Sequence, residues 1–195
     1  MDYTKIKEDI NSYIEANFSE KRKRHTLGVV ETAKELAGRY GISEEKAETA
    51  ALFHDMFRGT EITQLNYYVK HLGLDGKYLD NANLAHSKLA AAIMKRDFDI
   101  DDEEILDAVS FHTTGRAGMS TLEKIIYIAD AIEPSRDYPN VDAIRKEAFI
   151  DIDRACLMSL ENTMTYVREQ GKFLDSDTIE AIDFLRKELS IDDKS

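Results

Sequence analysis

Four histidines and two aspartates in this chain occupy positions where a helix of a globular protein carries its apolar side chains. His54 and Asp55 close the stretch Ala50-Ala51-Leu52-Phe53-His54-Asp55-Met56. Counting back three, four and seven residues from His54 reaches Ala51, Ala50 and Ala47, which places the imidazole on a small-residue, core-facing stripe. His25 begins a similar row with Val29, Ala33 and Leu36, His86 shares a face with Leu89, Ala90, Ile93 and Met94, and His112 ends the row Ile105, Ala108, Val109. Asp130 continues the apolar face of Leu122, Ile125, Ile126 and Ala129. One inward histidine is usually a hydrogen-bonded core residue, whereas an isolated ionised carboxylate costs roughly several kcal/mol or more to bury. Six polar groups with a common address point to metal ligation. Imidazole and carboxylate without thiolate suit iron, manganese, zinc or nickel, and more than four ligands calls for a two-metal site. His71, beside Leu72-Gly73-Leu74, fits no such row and reads as a surface or lid histidine.

These groups need helices to position them. Gly and Pro number only 9 and 2, and strand-like alternation is absent, so the fold class is all-α, with long helices and short connections. The first helix spans residues 3 to 17, with Ile6, Ile10, Tyr13 and Ile14 on one face. The basic cluster Glu20-Lys21-Arg22-Lys23-Arg24-His25 leads into a helix that closes at Gly41, with His25 at its start. Ser43 caps the helix that ends in His54-Asp55, where Gly59 and Thr60 follow as breakers. Between Glu61 and Asn83 the pattern weakens at Gly73, Asp75-Gly76 and Asn81, which predicts a short helix, an irregular connection and a lid. His86 opens the next helix, Thr113-Thr114-Gly115-Arg116 ends the one carrying His112, and Ser120 with Glu123 forms a capping box ahead of Asp130. A loop flanked by Pro134 and Pro139 precedes helices near 141 to 149, 151 to 170 and 177 to 189. The 195 residues, 43% hydrophobic, then divide into a packing helix (1–18), a metal-binding core (19–140), C-terminal helices completing the same domain (141–190) and a frayed tail (191–195).

The net charge of -12 opposes binding to nucleic acid or anionic membrane, so an anionic ligand needs local cations or metal. Cys156 is the only cysteine, which excludes an internal disulfide and a thiolate cluster and suits a reducing cytosol. The N-terminus lacks a signal-peptide core, and no run approaches the roughly 20 apolar residues of a membrane span. A soluble cytoplasmic protein is expected, with room for a homodimer.

The order His25, His54-Asp55, Asp130, with the additional His86 and His112, resembles the HD-domain metal-dependent phosphohydrolases. The stretches Lys21 to Val29, His112-Thr113-Thr114-Gly115-Arg116 and Ala129-Asp130-Ala131-Ile132-Glu133-Pro134-Ser135-Arg136 look like the YqeK-type branch of that family, over about residues 19 to 185. The resemblance implies a single HD-domain helical fold that hydrolyses diadenosine tetraphosphate symmetrically to two ADP, through hydroxide generated at two divalent or mixed-valence metals, most simply iron. It implies that His25, His54, Asp55 and Asp130 hold one metal, that Asp55, His86 and His112 hold the second, and that Asp55 and Asp130 are the catalytic carboxylates. Two metals about 3.5–4 Å apart lower the pKa of a shared water and stabilise phosphoryl oxygens. The sequence departs from the branch at Met56-Phe57-Arg58, where Arg58 replaces a phosphate-contacting lysine, and at Ser135 and Asn140, where glycine is usual.

Phosphate recognition falls to cations near the ligands: Arg22, Arg24, Arg58, Arg116 and Arg136. Thr113 and Thr114 either donate to phosphate or cap the preceding helix. Tyr67, Tyr68 and Tyr138 read as packing residues. The same ligand set also serves HD nucleotidases and cyclic-dinucleotide phosphodiesterases. A nucleotide-binding helical module with a structural metal is the alternative of another class.

Overall fold

Hydrogen-bonding side chains set most of the helix starts. Ser19, Ser43, Asn81, Asp102, Ser120, Asp151 and Asp175 each accept a hydrogen bond from a first-turn N–H. The computed structural model describes residues 2–190, so the tail 191–195 lies outside the described residues. The chain runs α1 (Tyr3–Asn17), α2 (Glu20–Tyr40), α3 (Glu44–Phe53), α4 (Ile62–His71), a 3-10 turn (Gly76–Tyr78), α5 (Ala82–Asp97), α6 (Glu103–Phe111), α7 (Thr121–Ile132), α8 (Val141–Ala148), α9 (Ile152–Glu169) and α10 (Ser176–Glu188). The described residues contain no strand, and none of their helices is long and apolar enough to cross a membrane.

Two helices form the hub. Helix α3 packs its alanines against α2, α6 and α7, where small side chains permit close approach. Helix α7 is sheathed by α2, α3, α6, α8 and α9. Its Leu122, Ile125, Ile126 and Ile128 have no exposed surface, and burying each contributes roughly 1.5–3 kcal/mol. Asp130 therefore stands on a rigid element.

Two histidines sit deeper in their helices than the sequence pattern predicts. The Ser19 cap starts α2 at Glu20, so His25 lies in its second turn. Asn81, read as a break, is the cap of α5, so His86 is the fifth residue of that helix rather than its opening. Residues between Glu61 and Asn83 form α4 and the 3-10 turn, with Leu65 and Val69 buried as α4 packs on α5. None of that segment lines the functional cavity described below, so it is not a lid over it. His71 is exposed and stacks on Tyr67, as expected.

Candidate metal centre and its cavity

The four inward histidines share one tautomeric arrangement. His54 Nδ1 donates to the Ala51 carbonyl at 2.6 Å, His112 Nδ1 to the Val109 carbonyl at 2.8 Å and His86 Nδ1 to the Ala82 carbonyl at 3.3 Å. His25 Nδ1 donates to Glu133 Oε1 at 3.0 Å. Every Nε2 lone pair is thereby left facing inward, the usual preparation of a ligating imidazole. Nε2 of His54 and His25 are 3.4 Å apart, and those of His86 and His112 are 3.2 Å apart. Pairs of lone pairs held this close repel unless an electrophile lies between them.

Carboxylates complete two groups. His25, His54 and Asp130 form one, and Asp55, His86 and His112 the other, each with its ligand atoms within 4.8 Å of one another. Asp130 Oδ1 is 3.2 Å from His25 Nε2 and 4.0 Å from His54 Nε2. Asp55 faces both groups: Oδ1 is 3.3 Å from His86 Nε2 and 4.0 Å from His112 Nε2, while Oδ2 is 3.8 Å from His25 Nε2 and 3.9 Å from His54 Nε2. Only nitrogen and oxygen donors are present, in a cluster where His54, His86 and His112 are buried, and this donor set fits a divalent metal site.

The electrostatics agree with ligand duty. Burial works to raise the Asp55 carboxyl, but the neighbouring His54 and His86 outweigh it and hold the group below the ordinary carboxylate range. Burial opposes ionisation of Asp130 as well, and the neighbouring His25 and His54, with the charge of Arg136, hold it well below that range. Burial, followed by the charges of His86 and His54, lowers His112 to about 3. A neutral imidazole beside anionic carboxylates is the protonation state a cation needs.

Glu133 received no role from the sequence. Its side chain is 1% exposed and accepts from His25 Nδ1, from the Ser135 N–H at 2.7 Å and from the Ser135 hydroxyl at 2.5 Å. It fixes the ring orientation of His25. Ser135, one departure from the expected glycine, thus supplies a hydroxyl donor. Asn140, the other, has φ 72°, a left-handed conformation that asparagine tolerates. The signal for Glu133 lay in Gly28, since a Cβ built there would stand 2.7 Å from Glu133 Oε2.

The centre forms the floor of a cavity of about 1150 Å³ whose lining includes Lys21, Arg22, Arg58, Thr113 and Arg136. Lys21, Arg22 and Arg58 make no ion pair among the described residues, although the guanidinium of Arg22 lies over the Phe18 ring at 5.4 Å. Arg136 differs, because Nε donates to the Asp130 carbonyl at 2.7 Å and Nη2 to Asp130 Oδ1. The sequence-based list of phosphate contacts is only partly brought together. Arg24 is exposed and does not line the cavity. Arg116 lies outside the lining and is paired with Glu123 Oε1 at 2.6 Å and Asp107 Oδ2 at 2.8 Å. Thr114 is buried, also outside the lining, and its hydroxyl donates to the Gly115 carbonyl, so it closes a turn. Thr113 stays at the centre, with Oγ1 3.4 Å from His86 Nε2. Lys21, given no role by the sequence, also lines the cavity, as does Tyr138 from the loop before α8, which the sequence pattern assigns to packing.

Imidazoles and carboxylates gathered from five helices or their ends, beneath unpaired cations, form a helical site that fits a divalent metal. The chain belongs to the HD domain family, which matches residues 22–135. It is 38% identical over 173 residues, 88% of this chain and 93% of the relative, to a symmetrical bis(5'-nucleosyl)-tetraphosphatase of Bacillus subtilis. A protein of the same name from Staphylococcus aureus is 34% identical over 168 residues, 85% of this chain and 87% of its own length. A crystal structure of a predicted HD superfamily hydrolase involved in NAD metabolism, from Clostridium acetobutylicum, superposes with a TM-score of 0.88 at 42% identity, covering 93% of this chain and 97% of that one.

Proposed function

We propose that this protein hydrolyses diadenosine tetraphosphate between its two central phosphates, releasing two ADP. The observation that carries the reading is Asp55, whose two carboxylate oxygens are divided between the two histidine groups at the floor of a cavity bearing three unpaired cations. His25, His54 and Asp130 would hold one metal, His86 and His112 the other, and Asp55 would bridge them, with iron the first choice and manganese, zinc or nickel the alternatives. When bound, two such metals supply a nucleophile at neutral pH and stabilise phosphoryl oxygens.

The chain's own residues do the remaining work. Lys21, Arg22 and Arg58 bind the polyphosphate and neutralise the charge of the departing ADP, a role that needs cations free of carboxylate partners. Arg136, held by Asp130, orients that carboxylate. Thr113 places a hydroxyl beside His86 and His112, where it can donate to a phosphate oxygen. The cavity volume exceeds the ~300–1,000 Å³ typical of a pocket for one small ligand, which favours a dinucleotide over a mononucleotide. The names of the relatives in Bacillus subtilis and Staphylococcus aureus support the same substrate and bond.

Chromatography of the initial products tests the proposal. Metal-loaded protein given diadenosine tetraphosphate should yield ADP alone. ATP with AMP as main products would refute symmetrical cleavage. A faster reaction with mononucleotides, cyclic dinucleotides or a pyrophosphate-linked dinucleotide would refute the substrate.

A further inference from the structure

Helix α9 carries a pattern that metal binding and phosphate recognition leave unexplained. Its inward stripe begins apolar, with Ile152, Ala155 and Cys156 buried in the core. At the same helical spacing it then turns polar and aromatic, through Ser159, Asn162, Thr163 and Tyr166, all of which line the cavity that holds the metal centre. The Tyr127 hydroxyl accepts from Ser159 at 3.3 Å and also bonds Thr163, so these two hydroxyls are engaged. Asn162 is half-buried, and its amide has no hydrogen-bond partner among the described residues. Its donor and acceptor are therefore not taken up by the protein and are open to a ligand in the cavity.

Charge divides the cavity. Lys21, Arg22, Arg58 and Arg136 come from α2 and the turns after α3 and α7, whereas the α9 wall contributes no cation to the lining and one acid, Glu169. Phosphate therefore has no counter-charge along α9, and a neutral ring with hydrogen-bonding edges is favoured there. Tyr166 is 55% exposed at the cavity wall, with Lys172 outside the lining 5.5 Å from its ring centroid. Tyr138, from the loop before α8, also lines the cavity, and its hydroxyl donates to the Ala131 carbonyl at 2.9 Å, which holds that ring in place.

We infer that the α9 wall is a nucleoside subsite, in which Asn162 reads the hydrogen-bonding edge of a purine while Tyr166 and Tyr138 contact its faces. An asparagine amide offers donor and acceptor together, the pair that adenine presents at N6 and N7, and aromatic rings stack on any base. The inference rests on the function proposed above and adds to it the place where one end of the substrate is recognised.

Calorimetric titration with ADP and with inorganic pyrophosphate tests it, using manganese-loaded wild type and the Asn162→Ala and Tyr166→Ala variants. ADP carries the base and pyrophosphate does not. Each variant should bind ADP about tenfold more weakly, about 1.4 kcal/mol, and bind pyrophosphate as the wild type does. With diadenosine tetraphosphate, KM should rise while kcat stays within about threefold, as loss of a contact remote from the reacting bond requires. Unchanged ADP affinity in both variants, or an equal loss for pyrophosphate, would overturn the subsite. The calorimetry needs no turnover. Wild type that fails to cut diadenosine tetraphosphate, while its ADP affinity still depends on Asn162, overturns the substrate reading and upholds the subsite.

Discussion

Gly28 and Gly38 lie in the same helix, α2, and replacing each with alanine should have opposite effects. Glycine in a helix interior is less favourable than alanine by about 0.5–1 kcal/mol, so propensity alone makes both substitutions stabilising. At Gly38 nothing intervenes, because the nearest atom to an added Cβ is Glu44 Oε1 at 3.9 Å. At Gly28 the added Cβ would meet Glu133 Oε2 at 2.7 Å, with Glu133 Cβ and Pro134 Cδ both at 3.4 Å. A flexible carboxylate would swing away at little cost. This one is buried and held by His25 Nδ1 at 3.0 Å, the Ser135 N–H at 2.7 Å and the Ser135 hydroxyl at 2.5 Å. Hydrogen bonds to a charged group are worth about 1.5–3 kcal/mol each, so losing even one outweighs the propensity gain.

Gly28→Ala should therefore destabilise the protein by about 1–2 kcal/mol, while Gly38→Ala stabilises it by up to about 1 kcal/mol. A second effect separates orientation from packing. Displacing Glu133 frees the His25 ring, and loss of such an outer partner typically costs about 10–100-fold in metal affinity or activity. Denaturant unfolding of the metal-free variants reads the first effect, and titration with manganese reads the second. Combining Gly28→Ala with Glu133→Ala should remove most of the alanine penalty, since the two changes share one contact. If Gly28→Ala stabilises the protein as much as Gly38→Ala and binds metal normally, Glu133 does not hold His25 as described.

Stripping metal with a chelator should lower the melting temperature. A ligand at a hundred times its Kd contributes about 2.7 kcal/mol, which is roughly 5–10 °C for a chain of this size, and identical melting curves with activity intact would exclude a metal centre. Asp55→Asn should abolish turnover more completely than His86→Ala, with both proteins still helical by circular dichroism, and near-normal turnover of Asp55→Asn at saturating metal would exclude the bridge. Arg22→Ala should weaken transition-state binding by about 1.5–3 kcal/mol with metal content unchanged, whereas Arg116→Ala should lower stability by about 1–3 kcal/mol and leave KM unaltered, because it strips Glu123 of its partner; a raised KM in Arg116→Ala would restore that residue to the substrate site. Lys88, its Nζ 3.3 Å from the Phe111 ring centroid, is lowered by burial from 10.5 to about 8. The unfolded chain then binds more protons between pH 8 and 10.5, so stability rises with pH across that window and the charged lysine costs up to about 3 kcal/mol at pH 7. Lys88→Met should accordingly raise the melting temperature at pH 7, with the gain shrinking toward pH 10, and a gain independent of pH would show that the charge is not the cause.

Periodicity carried the fold because each helix buries one stripe, and the stripes of α3, α5, α6 and α7 are clean enough to expose a histidine or aspartate lying on them. Helix starts were less legible. Ser43 and Ser120 advertise their caps, but Asn81 sits in a stretch of turn-forming residues and reads equally well as a break, which is why the first turn of α5 was lost. Glu133 escaped notice for a different reason. It stands at the end of α7, outside every apolar row, and its partner lies 108 positions away. The polar half of α9 is similar, because Ser159, Asn162, Thr163 and Tyr166 look like a solvated face until the cavity beside them is visible.

The cations show most clearly what spacing cannot carry. Arg116 adjoins the His112-Thr113-Thr114 ligand segment in sequence, and Lys21 is one more member of a basic run, yet their roles are reversed in space. Two carboxylates from α6 and α7 occupy the Arg116 guanidinium, whereas Lys21 projects into the cavity with no acid to meet it. A cation contributes to anion binding only to the extent that no carboxylate already satisfies it, and pairing is settled by tertiary contacts between distant helices. In a chain with 38 acidic against 26 basic residues, acids outnumber the cations available to pair with them. Those kept free around the metal centre are therefore the informative ones, and they make one cavity of an acidic protein attractive to a polyphosphate.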